Sequence, residues 1–136
     1  MADPKRLYLT EADVTEMLDM KLALEALDEA FRARSRGEVR NEPRHRLATG
    51  NGSMNFMAAT WPERGWAGHK SYVSGDFRVM LYGTHGEGLL AVIGAGRMGQ
   101  IRTGAASGIA TKYMARENSS SVGIIGSGYQ AETQLE

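Results

Sequence analysis

Cysteine is missing from all 136 residues. Disulfides, thiolate nucleophiles and Cys-based metal sites are therefore excluded. Histidine is nearly as scarce, and His45, His69 and His85 stand apart with no metal-ligand spacing. No sign of charge is in excess, since 16 basic and 16 acidic residues cancel. That balance argues against nucleic acid or an anionic membrane as the main partner. Long apolar runs are absent too. The opening MADPKRLYLT reads as neither a signal peptide nor a membrane span, so a cytoplasmic protein is expected.

The residues present suit a folded chain. Hydrophobic residues make up 42%, enough for a packed core in one domain or slightly more. Seventeen glycines point to turns and close backbone contacts.

Leu7-Tyr8-Leu9 reads as a short strand. Thr10 reads as an N-cap, with Glu11 and Asp13 in the first turn of a helix reaching about Leu18. Asp19 caps the next helix, where Met20, Leu24, Leu27 and Phe31 share one face and Glu25, Asp28, Glu29 and Arg32 take the other. Gly37 stops that helix near Arg36. Beyond Pro43 the period changes to that of strands, over residues 44–48, 54–59, 67–73 (with Lys70), 77–82 and 89–93. Asn51-Gly52 marks a hairpin, and the short links imply an antiparallel sheet. The fold expected over about residues 1–118 is α+β, with 118–121 as the linker.

Two glycine fingerprints follow. Gly94-Ala95-Gly96-Arg97-Met98-Gly99 sits between an apolar strand and a helix, as a dinucleotide turn does. The next strand, 122–125, carries no acid for a ribose, so this turn lacks its partner. Gly126-Ser127-Gly128-Tyr129-Gln130-Ala131 follows strand 122–125, and its acid would fall beyond Glu136. It is the better candidate for the pyrophosphate, held at a helix N-terminus. The helix expected over 99–116 is rich in Gly and Ala for close packing, and it places Arg102 in its first turn. A cation there opposes the helix dipole, which points to a carboxylate or phosphate nearby unless the side chain is simply exposed.

These residues together resemble the ornithine cyclodeaminase/mu-crystallin family. The resemblance lies in Leu7-Tyr8-Leu9-Thr10, Asn55-Phe56-Met57-Ala58-Ala59, Gly68-His69-Lys70, Leu89-Leu90-Ala91-Val92-Ile93, Arg102-Thr103-Gly104-Ala105-Ala106 and the stretch 123–131. It covers the whole chain. It implies a helix-flanked antiparallel sheet for substrate binding and dimerisation over 1–118, followed over 119–136 by the first strand and helix start of a Rossmann α/β domain. It assigns Gly94 to Gly99 to the turn before the Arg-Thr helix, not to nucleotide.

The resemblance also implies roles. Arg44 would clamp a substrate carboxylate, with Arg46 as the alternative two residues along the strand. Lys70 would stand near the reacting carbon as the catalytic residue. Arg102 would bridge substrate and cofactor, and Met57 would wall the pocket. Thr103, Gly126, Gly128, Tyr129 and Gln130 would join Arg102 in holding NAD(H) or NADP(H). The substrate would be a small amino acid or cyclic imine, taken by a homodimeric deaminase, dehydrogenase or imine reductase. The link between Val73 and Phe77 is shorter than in the cyclodeaminases, which counts against ornithine. The family's acidic catalytic residue belongs to the Rossmann domain and has no counterpart here. An incomplete and inactive portion without tight cofactor binding is therefore expected. The competing expectation is a non-catalytic, mu-crystallin-like binding and dimerisation module.

Overall fold

The computed structural model describes residues 6–136. Residues 1–5, part of the stretch read as free of a leader, lie outside the described residues. The order is β1 (Leu7–Leu9), α1 (Glu11–Met17), α2 (Met20–Ser35), β2 (Arg40–Ala48), β3 (Ser53–Trp61), β4 (Trp66–Val73), β5 (Asp76–Gly83), β6 (Gly88–Gly94) and α3 (Gly96–Met114). Two single 3-10 turns, Pro62–Arg64 and Glu132–Gln134, complete it.

The helices start and stop where local chemistry dictates. Thr10 and Asp13 form a reciprocal capping box on α1, with the Thr10 amide donating to Asp13 Oδ2 at 2.7 Å. Asp19 Oδ1 accepts from the Leu22 amide at 2.7 Å and caps α2. Gly37, at φ +79°, ends α2 in a Schellman motif, in which the Glu38 amide donates to the Ala33 carbonyl at 3.0 Å. On α2 the tightest contacts come from small residues. Ala23 packs with Ile101 and Ala105 of α3, flanked by Met20, Leu24 and Leu27, while Phe31 is 43% exposed. The buried core thus lies between α2 and α3, where alanines let the helix axes approach closely.

The sheet runs β1-β6-β5-β4-β3-β2. Strands β2 to β6 form an antiparallel meander, as the hairpin-length links require. The sheet is nonetheless mixed, because β1 pairs with β6 in parallel, Tyr8 opposite Val92. The helices α1 and α2 separate β1 from the rest of the sheet, so it re-enters at the far edge instead of as a hairpin neighbour.

Two expectations are corrected. Helix α3 begins at Gly96, not Gly99, which moves Arg102 from the first turn to the second. Residues 122–125 form no strand, and the expected helix after Gly128 is a single 3-10 turn. A strand exists only through its ladder, and among the described residues nothing pairs with 122–125. Ile125 is fully exposed as a result.

Candidate active site

Register brings the predicted residues to one face. Met57 pairs with Lys70, and Lys70 with Val79. Asn55 pairs with Tyr72, and Tyr72 with Phe77. Directly opposed residues share a face, so all six point the same way, toward α3. Edge strand β2 joins them through a bulge. Glu42 opposes Ala58 and His45 opposes Phe56, so Pro43 and Arg44 together face Met57. Without the extra residue, position 44 would share the face of Glu42, away from Lys70. The bulge turns Arg44 toward Lys70, and Pro43, having no N–H to donate, suits the broken ladder.

Lys70 is the centre. Its Nζ lies 4.9 Å from the Phe77 ring centroid and 5.9 Å from that of Tyr72, themselves 4.8 Å apart. Helix α3 closes over it, since a Cβ at Gly99 would stand 2.8 Å from Nζ. Burial, then the charges of Arg102 and Arg44, push the Lys70 ammonium below the ordinary lysine range, with Glu11 opposing weakly. An ammonium so placed gives up its proton more readily than an exposed one and favours an anion beside it.

The two candidate arginines of β2 separate. Arg44 holds its guanidinium 6.0 Å from the Tyr72 ring centroid, within reach of Lys70's field. Arg46 donates from Nε to Asn55 Oδ1 at 3.1 Å, and buried Asn55 donates in turn to Ser53 Oγ at 3.1 Å. Arg102 is exposed but close enough to depress Lys70. Thr103 Oγ1 donates back to the Gly99 carbonyl at 2.7 Å, as mid-helix threonines do.

Met57, Arg44 and Lys70 line one end of a cavity of about 760 Å³. Its floor continues over Ala59 and Gly68 to Trp61 and Trp66, under Ala30 of α2. Beside those indoles Arg64 stands 4.5 Å from the Trp61 ring centroid and 5.3 Å from that of Trp66, paired with Glu29. The cavity is thus cationic at one end and apolar along its length, a shape suited to a small carboxylate with a carbon body.

The first glycine fingerprint is occupied by the chain itself. Gly96 donates its amide to Glu11 Oε1 at 2.7 Å, and Arg97 to Glu11 Oε2 at 3.0 Å. Partial burial works against this carboxylate, but those two amides and the charges of Arg78 and Lys70 outweigh it and hold its pKa low. A Cβ at Gly94 would stand 2.8 Å from the Glu11 nitrogen. These glycines admit α1, not a phosphate.

The second turn is open. Gly126 has φ +107°, a conformation glycine adopts freely, and with Ser127, Gly128 and Tyr129 it borders a cavity of about 490 Å³. Gly126, Gly128, Tyr129 and Gln130 are all exposed. This turn suits the close approach of a pyrophosphate. The helix N-terminus that would add its dipole is not formed among the described residues.

Sequence patterns did not single out Asn55, Tyr72, Phe77, Gln100 or the capping role of Glu11. Strand alternation puts Asn55 and Tyr72 on the Lys70 face once the register is known, whereas Glu11 and Gln100 act over 85 and 32 residues of separation and leave no local signal.

Among the described residues no helix is long and apolar enough to cross a membrane. Residues 5–136 match the profile of the ornithine cyclodeaminase/mu-crystallin family. Alanine dehydrogenase of Archaeoglobus fulgidus is 37% identical over 141 residues, covering 96% of this chain and 43% of the relative. Among solved structures, an archaeal alanine dehydrogenase dimer with bound NAD superposes with a TM-score of 0.87 at 35% identity, over 96% of this chain and 43% of that one. Thermococcus litoralis Δ1-pyrroline-2-carboxylate reductase, in complex with NADH and L-proline, gives 0.82 at 29% identity, over 95% and 44%. The chain therefore spans less than half the length of the relatives it matches, and corresponds to their N-terminal parts. On the match over residues 5–136, the chain belongs to the ornithine cyclodeaminase/mu-crystallin family.

Proposed function

We propose that the complete protein is an NAD(P)-dependent oxidoreductase that interconverts a small amino acid and its imine, or reduces a cyclic imine. The observation that carries this is the pair Arg44 and Lys70 lining one cavity end, with Arg102 near enough for its charge, after burial, to destabilise the Lys70 ammonium. A carboxylate seated between Arg44 and Arg102 relieves that repulsion, and guanidinium groups fix its orientation. Lys70 Nζ then serves the substrate nitrogen. Neutral, it takes a proton as amine becomes imine; charged, it returns one in the opposite direction. Met57 and the Tyr72–Phe77 pair keep water from that nitrogen. The nicotinamide, when bound, supplies the carbon that accepts or donates hydride. Gly126, Gly128, Tyr129, Gln130, Thr103 and Arg102 would hold its phosphates, completed by chain beyond these residues. Residues 1–118 would form the substrate and dimer unit, and 119–136 the opening of the nucleotide domain.

The test is reduction of pyruvate with ammonia, and of Δ1-pyrroline-2-carboxylate, by the complete gene product with NADH and NADPH. Activity on one of them, lost by about 100-fold or more in Lys70→Ala, is the expected result. Full activity in Lys70→Ala removes the reading.

A second reading, a non-catalytic binding and dimerisation module, is favoured by the opposite face of the sheet. There Phe56, His69 and Tyr82 form a ladder with ring centroids 5.0 and 5.9 Å apart, and no helix among the described residues covers them. A homodimer formed through this face accommodates either reading. NAD(P)H binding without turnover on any amino acid or imine would select the second.

A further inference from the structure

One turn of α3 touches both halves of the proposed site. Gly99 faces the Lys70 ammonium, and the next residue, Gln100, faces the glycine turn. Gln100 is 2% exposed, yet its side chain is fully engaged. Its Nε2 donates to the Tyr129 carbonyl, inside the glycine turn, and to Glu132 Oε2 at 3.0 Å. Its Oε1 accepts from Arg97 Nη1 at 2.7 Å. Its backbone carbonyl accepts from Thr133 Oγ1 at 3.0 Å. One turn further on, Gly104 makes room for the same segment, because a Cβ there would overlap the Thr133 carbonyl.

A buried amide with its donors and acceptor all satisfied is costly to disturb, since each partner left behind is stranded away from water. A leucine of similar size would leave the Tyr129 carbonyl without this donor and Arg97 without this acceptor. Among the described residues neither a strand ladder nor a helix anchors 122–131, so the contacts that Gln100 and Gly104 of α3 make with Tyr129, Glu132 and Thr133 hold the turn.

We infer that Gln100 is a positioning residue. It holds the glycine turn 126–130 at a set distance from Arg102 and Lys70, so that nucleotide and carboxylate meet on α3. This rests on the reading of that turn as the nucleotide site.

The experiment uses the complete gene product and three variants: Gln100→Leu, Gln100→Glu, and Gln100→Glu with Glu132→Gln. Glutamate keeps the acceptor for Arg97 but loses the donor and opposes Glu132. Glutamine at 132 then supplies a donor back to position 100. Hydrogen exchange of peptides covering 126–133 and calorimetric NADH binding are measured on each. The expected result is about tenfold faster exchange and about tenfold weaker NADH binding in the single variants. Part of both losses should be regained in the double variant, with exchange in α1 and α2 unchanged. Unchanged exchange at 126–133 in Gln100→Leu overturns the inference, as does further loss in the double variant in place of rescue. Faster exchange with NADH binding unchanged overturns instead the reading of the turn as the nucleotide site, and with it the purpose assigned to Gln100.

Discussion

Glu11 and Gly96 are joined by a 2.7 Å hydrogen bond from the glycine amide to the carboxylate, across 85 residues of sequence. It ties the first helix to the N-terminus of α3, where unpaired amides and the positive end of the dipole favour a negative charge. It also settles what the first glycine fingerprint is for. An anion does sit on that turn, and it is the chain's own.

Glu11→Gln should lower stability by about 1 kcal/mol at neutral pH, through loss of a charged cap. The pH dependence follows from the depressed carboxyl. Its contribution is complete above the ordinary glutamate value of 4.5 and fades as pH falls through the lower folded-state value. Denaturant unfolding of wild type and variant from pH 7 to pH 3 checks this. The two curves should converge at the acid end. A constant gap would assign the loss to packing instead of charge.

Gly94 and Gly128 should respond in opposite ways to alanine. A Cβ at Gly94 would press on the Glu11 backbone at 2.8 Å, whereas one at Gly128 meets nothing within 4 Å. Gly94→Ala should therefore cost about 1–3 kcal/mol and leave NADH affinity of the folded complete protein intact. Gly128→Ala should keep the melting temperature and weaken NADH. The reverse pattern would make Gly94 to Gly99 the nucleotide turn.

The elements governed by near neighbours were legible in the sequence. Thr10, Asp19 and Gly37 bound their helices as capping chemistry predicts, and the meander follows from hairpin-length links. The family and the α+β class were legible too, because motifs such as Arg102-Thr103-Gly104-Ala105-Ala106 are sequence-local. What escaped was non-local. The parallel pairing of β1 with β6, the bulge that turns Arg44, and the use of Gly94 and Gly96 to admit Glu11 all depend on residues far apart in the chain. Residues 122–125 failed for a related reason, since their apolar pattern specifies a strand only where a neighbouring strand exists to pair with it.

Arg44 and Arg46 should divide binding from stability. Arg44 makes no side-chain hydrogen bond among the described residues and faces Lys70, while Arg46 is committed to buried Asn55. Arg44→Ala should raise KM for the carboxylate substrate by about 10- to 100-fold, the worth of a charge-assisted contact, with little change in melting temperature. Arg46→Ala should lower the melting temperature and affect KM less. Steady-state kinetics beside thermal unfolding of both variants checks this, and equal KM effects would mean that the two arginines share the carboxylate.

Lys70 should report directly on Arg102. Burial and the nearby arginines hold its ammonium below the ordinary 10.5, so removing one charge must raise its pKa. Residues 1–136 hold four lysines, Lys5, Lys21, Lys70 and Lys112, and NMR of labelled lysine side chains can follow Lys70. Arg102→Gln should move the Lys70 midpoint upward. The linkage runs the same way. A lysine depressed in the folded state binds its proton better when unfolded, so stability rises with pH between the folded value and 10.5. Lys70→Met, which removes the charge while keeping the length, should therefore stabilise the protein at pH 7 and flatten that rise while abolishing turnover. An enzyme that becomes more stable as it loses activity has been holding a charge against its own folding, as a residue kept for chemistry would. A variant that loses stability as well would make Lys70 a structural cation, paired and content, and would return the carboxylate to Arg44 and Arg102 alone.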